Sequence, residues 1–77
     1  MNNIENTVIE ILADHFKKRT SEINISSNLV DDLGADSIDS IEITLLIEKE
    51  FDIEVSDQQI DQITTVQSVI DLVHDLS

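Results

Sequence analysis

The 77-residue chain has no cysteine, proline, tryptophan or tyrosine, one glycine, and four lysine or arginine residues in total. Each shortage removes a class of chemistry. Without cysteine there is no disulfide, no thiolate metal site and no thiol of the chain's own. Phosphate-cradling and dinucleotide loops need several glycines, and Gly34 stands alone. The two histidines, His15 and His74, fall on separate predicted helices outside any triad pattern, so a serine hydrolase is not expected. Both are read as solvent-exposed helix positions. No apolar run reaches membrane-spanning length and no signal-peptide pattern opens the sequence, so the expectation is a soluble, cytoplasmic protein without membrane insertion.

What the chain has in excess is negative charge, and it is unevenly spread. Residues 1–20 balance Glu5, Glu10 and Asp14 against Lys17, Lys18 and Arg19. Residues 21–77 set fourteen acids against Lys49, so the whole formal charge of −13 lies there. Such a field repels nucleic acid and anionic membranes and draws in basic protein surfaces. Acidity also serves solubility alone in many proteins. The length suits a single domain over residues 1–77 with one core, whose apolar volume comes largely from thirteen isoleucines.

Apolar residues at Ile4, Val8, Ile11, Leu12 and Phe16 have helical spacing and predict a first helix over about 3–17. Residues 18–36 show no sustained period and are rich in loop formers, with Ile23, Ile25, Leu29, Val30 and Leu33 as expected anchors to the core. The stretch 37–51 alternates like a strand at Ile41–Leu45, but fifteen residues exceed an ordinary strand, and a second helix is predicted. On a helical wheel its Ile43, Leu46, Ile47 and Phe51 form a core face. Ile38, Ile41 and Leu45 make a second apolar stripe, bordered by Glu42 and Glu48. Either that stripe is offered to a partner or the long loop covers it. Ser56 with Gln59 matches a capping box and opens a short helix over about 57–62. Thr64 with Gln67 matches another, before a helix over about 66–76 with Val66, Val69, Ile70 and Val73 inward. The predicted architecture is all-α, a small four-helix bundle of three longer helices and a short third one, with a long loop between the first two.

The segment Leu33-Gly34-Ala35-Asp36-Ser37-Ile38-Asp39 places one serine at a loop-to-helix junction. Asp36 is a favourable N-cap, Ser37 falls in the first turn, and Gly34 lets the loop bend. An anion on Ser37 would sit near the positive end of the helix dipole, a gain of about 0.3–1 kcal/mol that Asp36 and Asp39 oppose. The acids of 31–42 do not form a calcium loop, because aligning Gly34 with that loop's glycine puts Leu29 and Leu33 on ligand positions. No metal ligand set is therefore assigned. What remains is a domain without a catalytic group and with an exposed serine that another enzyme could modify.

The run Asn28-Leu29-Val30-Asp31-Asp32-Leu33-Gly34-Ala35-Asp36-Ser37-Ile38-Asp39-Ser40-Ile41-Glu42 resembles the prosthetic-group region of acyl carrier proteins. Glu48 to Val55, followed by Ile63-Thr64-Thr65-Val66, resembles the downstream part of the same family, and the likeness extends over essentially the whole chain. It implies a non-catalytic carrier whose Ser37 receives 4′-phosphopantetheine from coenzyme A through a Mg²⁺-dependent carrier-protein synthase, a phosphopantetheinyl transferase; a monomer is expected separately, since no long heptad seam appears. The arm's thiol would then carry acyl groups as thioesters, supplying the reactive sulfur that the chain lacks. Acyl-transfer and condensing enzymes with basic patches would dock on Asp36, Asp39, Glu42 and Glu48, with Ile38, Ile41 and Leu45 as apolar contacts. Ile38 stands where the family usually has leucine, Leu29 where an aromatic is common, and Ser56 where proline is frequent. These departures leave open a fatty-acid, polyketide, lipid A or other specialised cargo. An aminoacyl carrier of the D-alanyl type is an alternative, and an unmodified acidic helical adaptor is a third reading.

Overall fold

A computed structural model describes residues 3–77 as four α-helices in the order α1 (Ile4–Phe16), α2 (Ser37–Phe51), α3 (Asp57–Asp61) and α4 (Val66–Leu76), with a 3₁₀ turn at Thr20–Glu22. There is no strand among the described residues, in agreement with the predicted all-α bundle. Predicted and observed bounds coincide for α2 and α4. For α1 they differ by one residue at each end, because Asn3 is the cap, its Oδ1 accepting the Glu5 N–H at 2.8 Å. The α3 helix stops at Asp61, with Gln62 as its C-cap.

Each helix start carries a side chain that satisfies otherwise open N–H groups. At α3 the capping box of Ser56 and Gln59 forms as the sequence indicates. At α4 the box sits one residue later than Thr64–Gln67. Thr65 accepts the Ser68 N–H at 3.1 Å, and Ser68 Oγ accepts the Thr64 and Thr65 N–H groups at 3.0 Å each. A short serine reaches back where the longer glutamine was expected to. The α1 helix ends on Lys17 at φ 56°, with Lys18 N–H bonded to the Ala13 carbonyl at 2.8 Å, a left-handed cap made without glycine.

The core joins Val8, Leu12 and Ala13 of α1, Ile43 and Ile47 of α2, and Val66, Val69, Ile70 and Val73 of α4. The α1 helix packs on both α4 and α2, so it is the middle of the arrangement. On α2 the buried face is rotated from the expected one. Leu46 is 44 % exposed and Thr44 is buried, its hydroxyl donating to the Ser40 carbonyl at 2.7 Å. Bonding to its own helix satisfies the hydroxyl, so threonine is tolerated inside.

The connection between α1 and α2 is ordered rather than structureless. Asn28 organises it: its Oδ1 accepts the Val30 and Asp31 N–H groups, and its carbonyl accepts those of Asp32 and Leu33. Leu29 N–H bonds to the Thr64 carbonyl, Val66 N–H to Ser27, and Gln67 N–H to Ile25, a seam that ties the loop to the entry of α4. Of the five expected anchors, Ile23 and Leu29 are buried and Leu33 is partly buried. Ile25 and Val30 are exposed, because seam and turn are held through backbone atoms, and Ala35 fills the core beside Leu29. Gly34 takes φ +73°, the left-handed conformation that favours glycine, and turns the chain toward α2.

Candidate functional site

Ala35 anchors the end of the loop in the core, so the chain emerges at Asp36 and begins α2 at Ser37, which is exposed. Asp36 Oδ1 accepts the Asp39 N–H at 2.9 Å, and Asp39 Oδ2 accepts the Asp36 N–H at 3.0 Å. These two bonds close a ring that contains Ser37 and Ile38. Among the described residues the Ser37 and Ile38 N–H groups have no backbone partner, so the donors at this helix end remain available to an anion.

The second apolar stripe is open. Ile38, Ile41 and Leu45 are 63 %, 52 % and 59 % exposed, and the loop does not cover them. Glu42 lies exposed along the same surface. Glu48 has a different setting from the one expected: it is half-buried and its Oε2 accepts the Val55 N–H at 2.8 Å. It ties the α2–α3 link to α2, so one of its oxygens is already engaged. The sequence-predicted group is otherwise brought together on one flank of α2, with Asp36, Ser37, Ile38 and Asp39 in the entry turn and Ile41, Glu42 and Leu45 beyond it.

Pattern reading missed His15. Expected on the surface, its side chain is only 12 % exposed, and its Nε2 lies 2.9 Å from Asp39 Oδ1. Because a carboxylate can only accept, the imidazole donates here. The Nδ1 lies 3.9 Å from Glu42 Oε2, and the ring meets Phe16 edge-on at 4.9 Å between centroids. The partner lies 24 positions along the chain, so no local pattern could reveal it. First the imidazole hydrogen bond and then the Asp36 N–H hold the Asp39 carboxyl below the usual carboxylate value. His15, Asp39 and Glu42 place ligand-type atoms within 4.8 Å of one another, but the imidazole nitrogen facing Asp39 is occupied by its hydrogen bond.

Two surface cavities lie elsewhere. One, of about 180 Å³, runs between α3 and α4 beside Ile63 and Leu72. The other, of about 370 Å³, lies between α1 and α2 over Ile11 and Leu46. Neither includes Ser37 in its lining. Among the described residues Ser37 has no histidine hydrogen-bonded to it, and His15 bonds Asp39 instead.

A family model described as a phosphopantetheine attachment site matches residues 6–73. Among solved structures, the chain is similar to the apo doublet acyl carrier protein from prodigiosin biosynthesis, at 26 % sequence identity and a TM-score of 0.83. The match covers 96 % of this chain and 36 % of that one, so the chain spans about a third of that protein's length. No helix among the described residues is long and apolar enough to cross a membrane. A family match over nearly the whole length, on a four-helix fold with an exposed serine opening α2, shows that the chain belongs to the phosphopantetheine-attachment family of carrier proteins.

Proposed function

We infer that Ser37 is the attachment point of 4′-phosphopantetheine and that the chain works as an acyl carrier in the cytoplasm. The observation that carries this reading is the exposed Ser37 at the start of α2, within the Asp36–Asp39 ring and beside an uncovered apolar stripe. The group fits the residues present: a phosphodiester on Oγ would face the Ser37 and Ile38 N–H groups. When bound, the arm supplies a terminal thiol for thioester chemistry, and the protein supplies placement and a docking surface.

In the loading step a new bond forms between Ser37 Oγ and the phosphorus of coenzyme A that bears the pantetheine arm. The bond from that phosphorus to the adenosine bisphosphate breaks, and the hydroxyl proton passes to a base of the transferase. The acidic entry turn opposes an incoming anion, so basic residues or a divalent ion on the transferase side must offset it. Docking falls to Asp36, Ile38, Ile41, Glu42 and Leu45. Asp39 contributes less because both of its carboxylate oxygens are engaged within the chain, and Glu48 less because it is half-buried with one oxygen bonded to the Val55 N–H.

The test is intact-mass measurement after incubation with coenzyme A, Mg²⁺ and a broad-range carrier-protein synthase. The wild type should gain the mass of one arm and Ser37→Ala should gain nothing. An unmodified wild type, or an undiminished gain in the variant, overturns the assignment. Loading with acyl, malonyl and aminoacyl donors then identifies the cargo.

A further inference from the structure

We propose that His15 is a positioning residue for Ser37, holding from α1 the turn of α2 in which the serine is presented. The proposal rests on the reading of Ser37 as the attachment point and extends it to a residue on another helix. Its basis is the unusual composition of the helix cap. A capping box commonly pairs a hydroxyl residue with a longer acid or amide. Here both partners are aspartates, Asp36 and Asp39, whose charges repel across the ring they close.

A third group stabilises that arrangement. His15 Nε2–H occupies Asp39 Oδ1, while Asp39 Oδ2 receives the Asp36 N–H. With both oxygens engaged, the carboxylate plane is fixed by partners from two helices. The imidazole is itself held by burial and by its edge-on contact with Phe16. Ser37 and Ile38 are the two residues inside the ring. Loss of the His15 bond lets Asp39 rotate toward solvent, releases the Asp36 N–H, and loosens the backbone on which Oγ is mounted. The remainder of α2 stays in place through Ile43 and Ile47, which belong to the core.

Three variants separate positioning from general stability. His15→Leu removes the donor, His15→Gln keeps a neutral donor, and Val73→Ala weakens the core on α4, away from the serine. In the apo proteins, backbone amide exchange at Asp36 and Asp39 is followed by NMR. His15→Leu should speed exchange at Asp36 by about five- to tenfold, the size expected for loss of one hydrogen bond. His15→Gln should stay within about twofold of wild type, on the ground that its amide replaces the donor. Transfer from coenzyme A, measured on the same samples, should show kcat/KM falling by a similar factor in His15→Leu and recovering in His15→Gln. Val73→Ala, even at a lower melting temperature, should load at the wild-type rate below its melting transition. Unchanged Asp36 exchange in His15→Leu overturns the proposal, as does an equal loss of transfer in Val73→Ala. Failure of the wild type to load at all bears on the Ser37 assignment instead, and the amide measurement still decides the role of His15.

Discussion

Asp39 is the residue on which the site turns, because it is both a cap of its own helix and the partner of a histidine on another. Both bonds favour the ionised carboxylate, which lowers its folded-state pKa. A depressed carboxyl pKa contributes stability that is fully present above the unfolded-state value and is lost as pH falls through the folded-state value. The stability difference between wild type and Asp39→Asn should therefore be constant at pH well above the ordinary carboxylate value of about 3.9 and close as the pH falls through the lowered folded-state value. Thermal melts across that range check it, and a difference independent of pH would show that the ionised form gains nothing from these bonds. The cap itself was legible: an aspartate before a serine at the start of an apolar period, with Gly34 two residues earlier, marks a turn into a helix. His15 was not, since its meaning lies in a partner reached only by folding. Glu48 read as a border residue for the same reason, its bond to the Val55 N–H being a matter of how the link returns along α2.

At the scale of the element, α2 divides its apolar residues between two tasks. Ile43 and Ile47 are buried, whereas Ile38, Ile41 and Leu45 are open. Ile47→Ala should cost about 2–5 kcal/mol by removing buried methyl groups and leaving a cavity. Ile41→Ser should change stability by no more than about 0.5 kcal/mol, as an exposed substitution. It should still weaken binding to an acyl-transfer enzyme that docks on the stripe. Chemical denaturation and a binding titration measure the two effects, and a large loss of stability in Ile41→Ser would place that stripe in the core. The bounds of α2 and its double-sided character could be read from length and periodicity. Its rotation about its own axis could not. Leu46 lies about 60° from Ile43 on the wheel, close enough to look buried, but the core centres nearer Thr44 and Ile47.

For the whole molecule, the decisive quantity is charge density. Fourteen acids against one lysine over residues 21–77 share a globule with a radius of gyration of 11.1 Å. At a Debye length of about 10 Å in 0.1 M salt, many of these charges still repel one another. Raising the salt concentration, or adding Mg²⁺, should therefore raise the melting temperature, and a melting point indifferent to both would show the repulsion to be unimportant.

The helix count and the order of elements were legible because apolar periods and polar caps are local signals. The seam that ties the loop down was not, because its bonds run to the entry of α4. That seam also has a meaning in time. It joins Ile25, Ser27 and Leu29 to residues roughly forty positions later, so its closure carries the entropy of a long loop, while helices form locally and first. A chain still being synthesised has no Thr64, Val66 or Gln67 for the loop to grip. The approach to Ser37 thus acquires its long-range backbone bonds only once the beginning of α4 exists, and a segment some forty residues later governs when the loop before the serine is tied down.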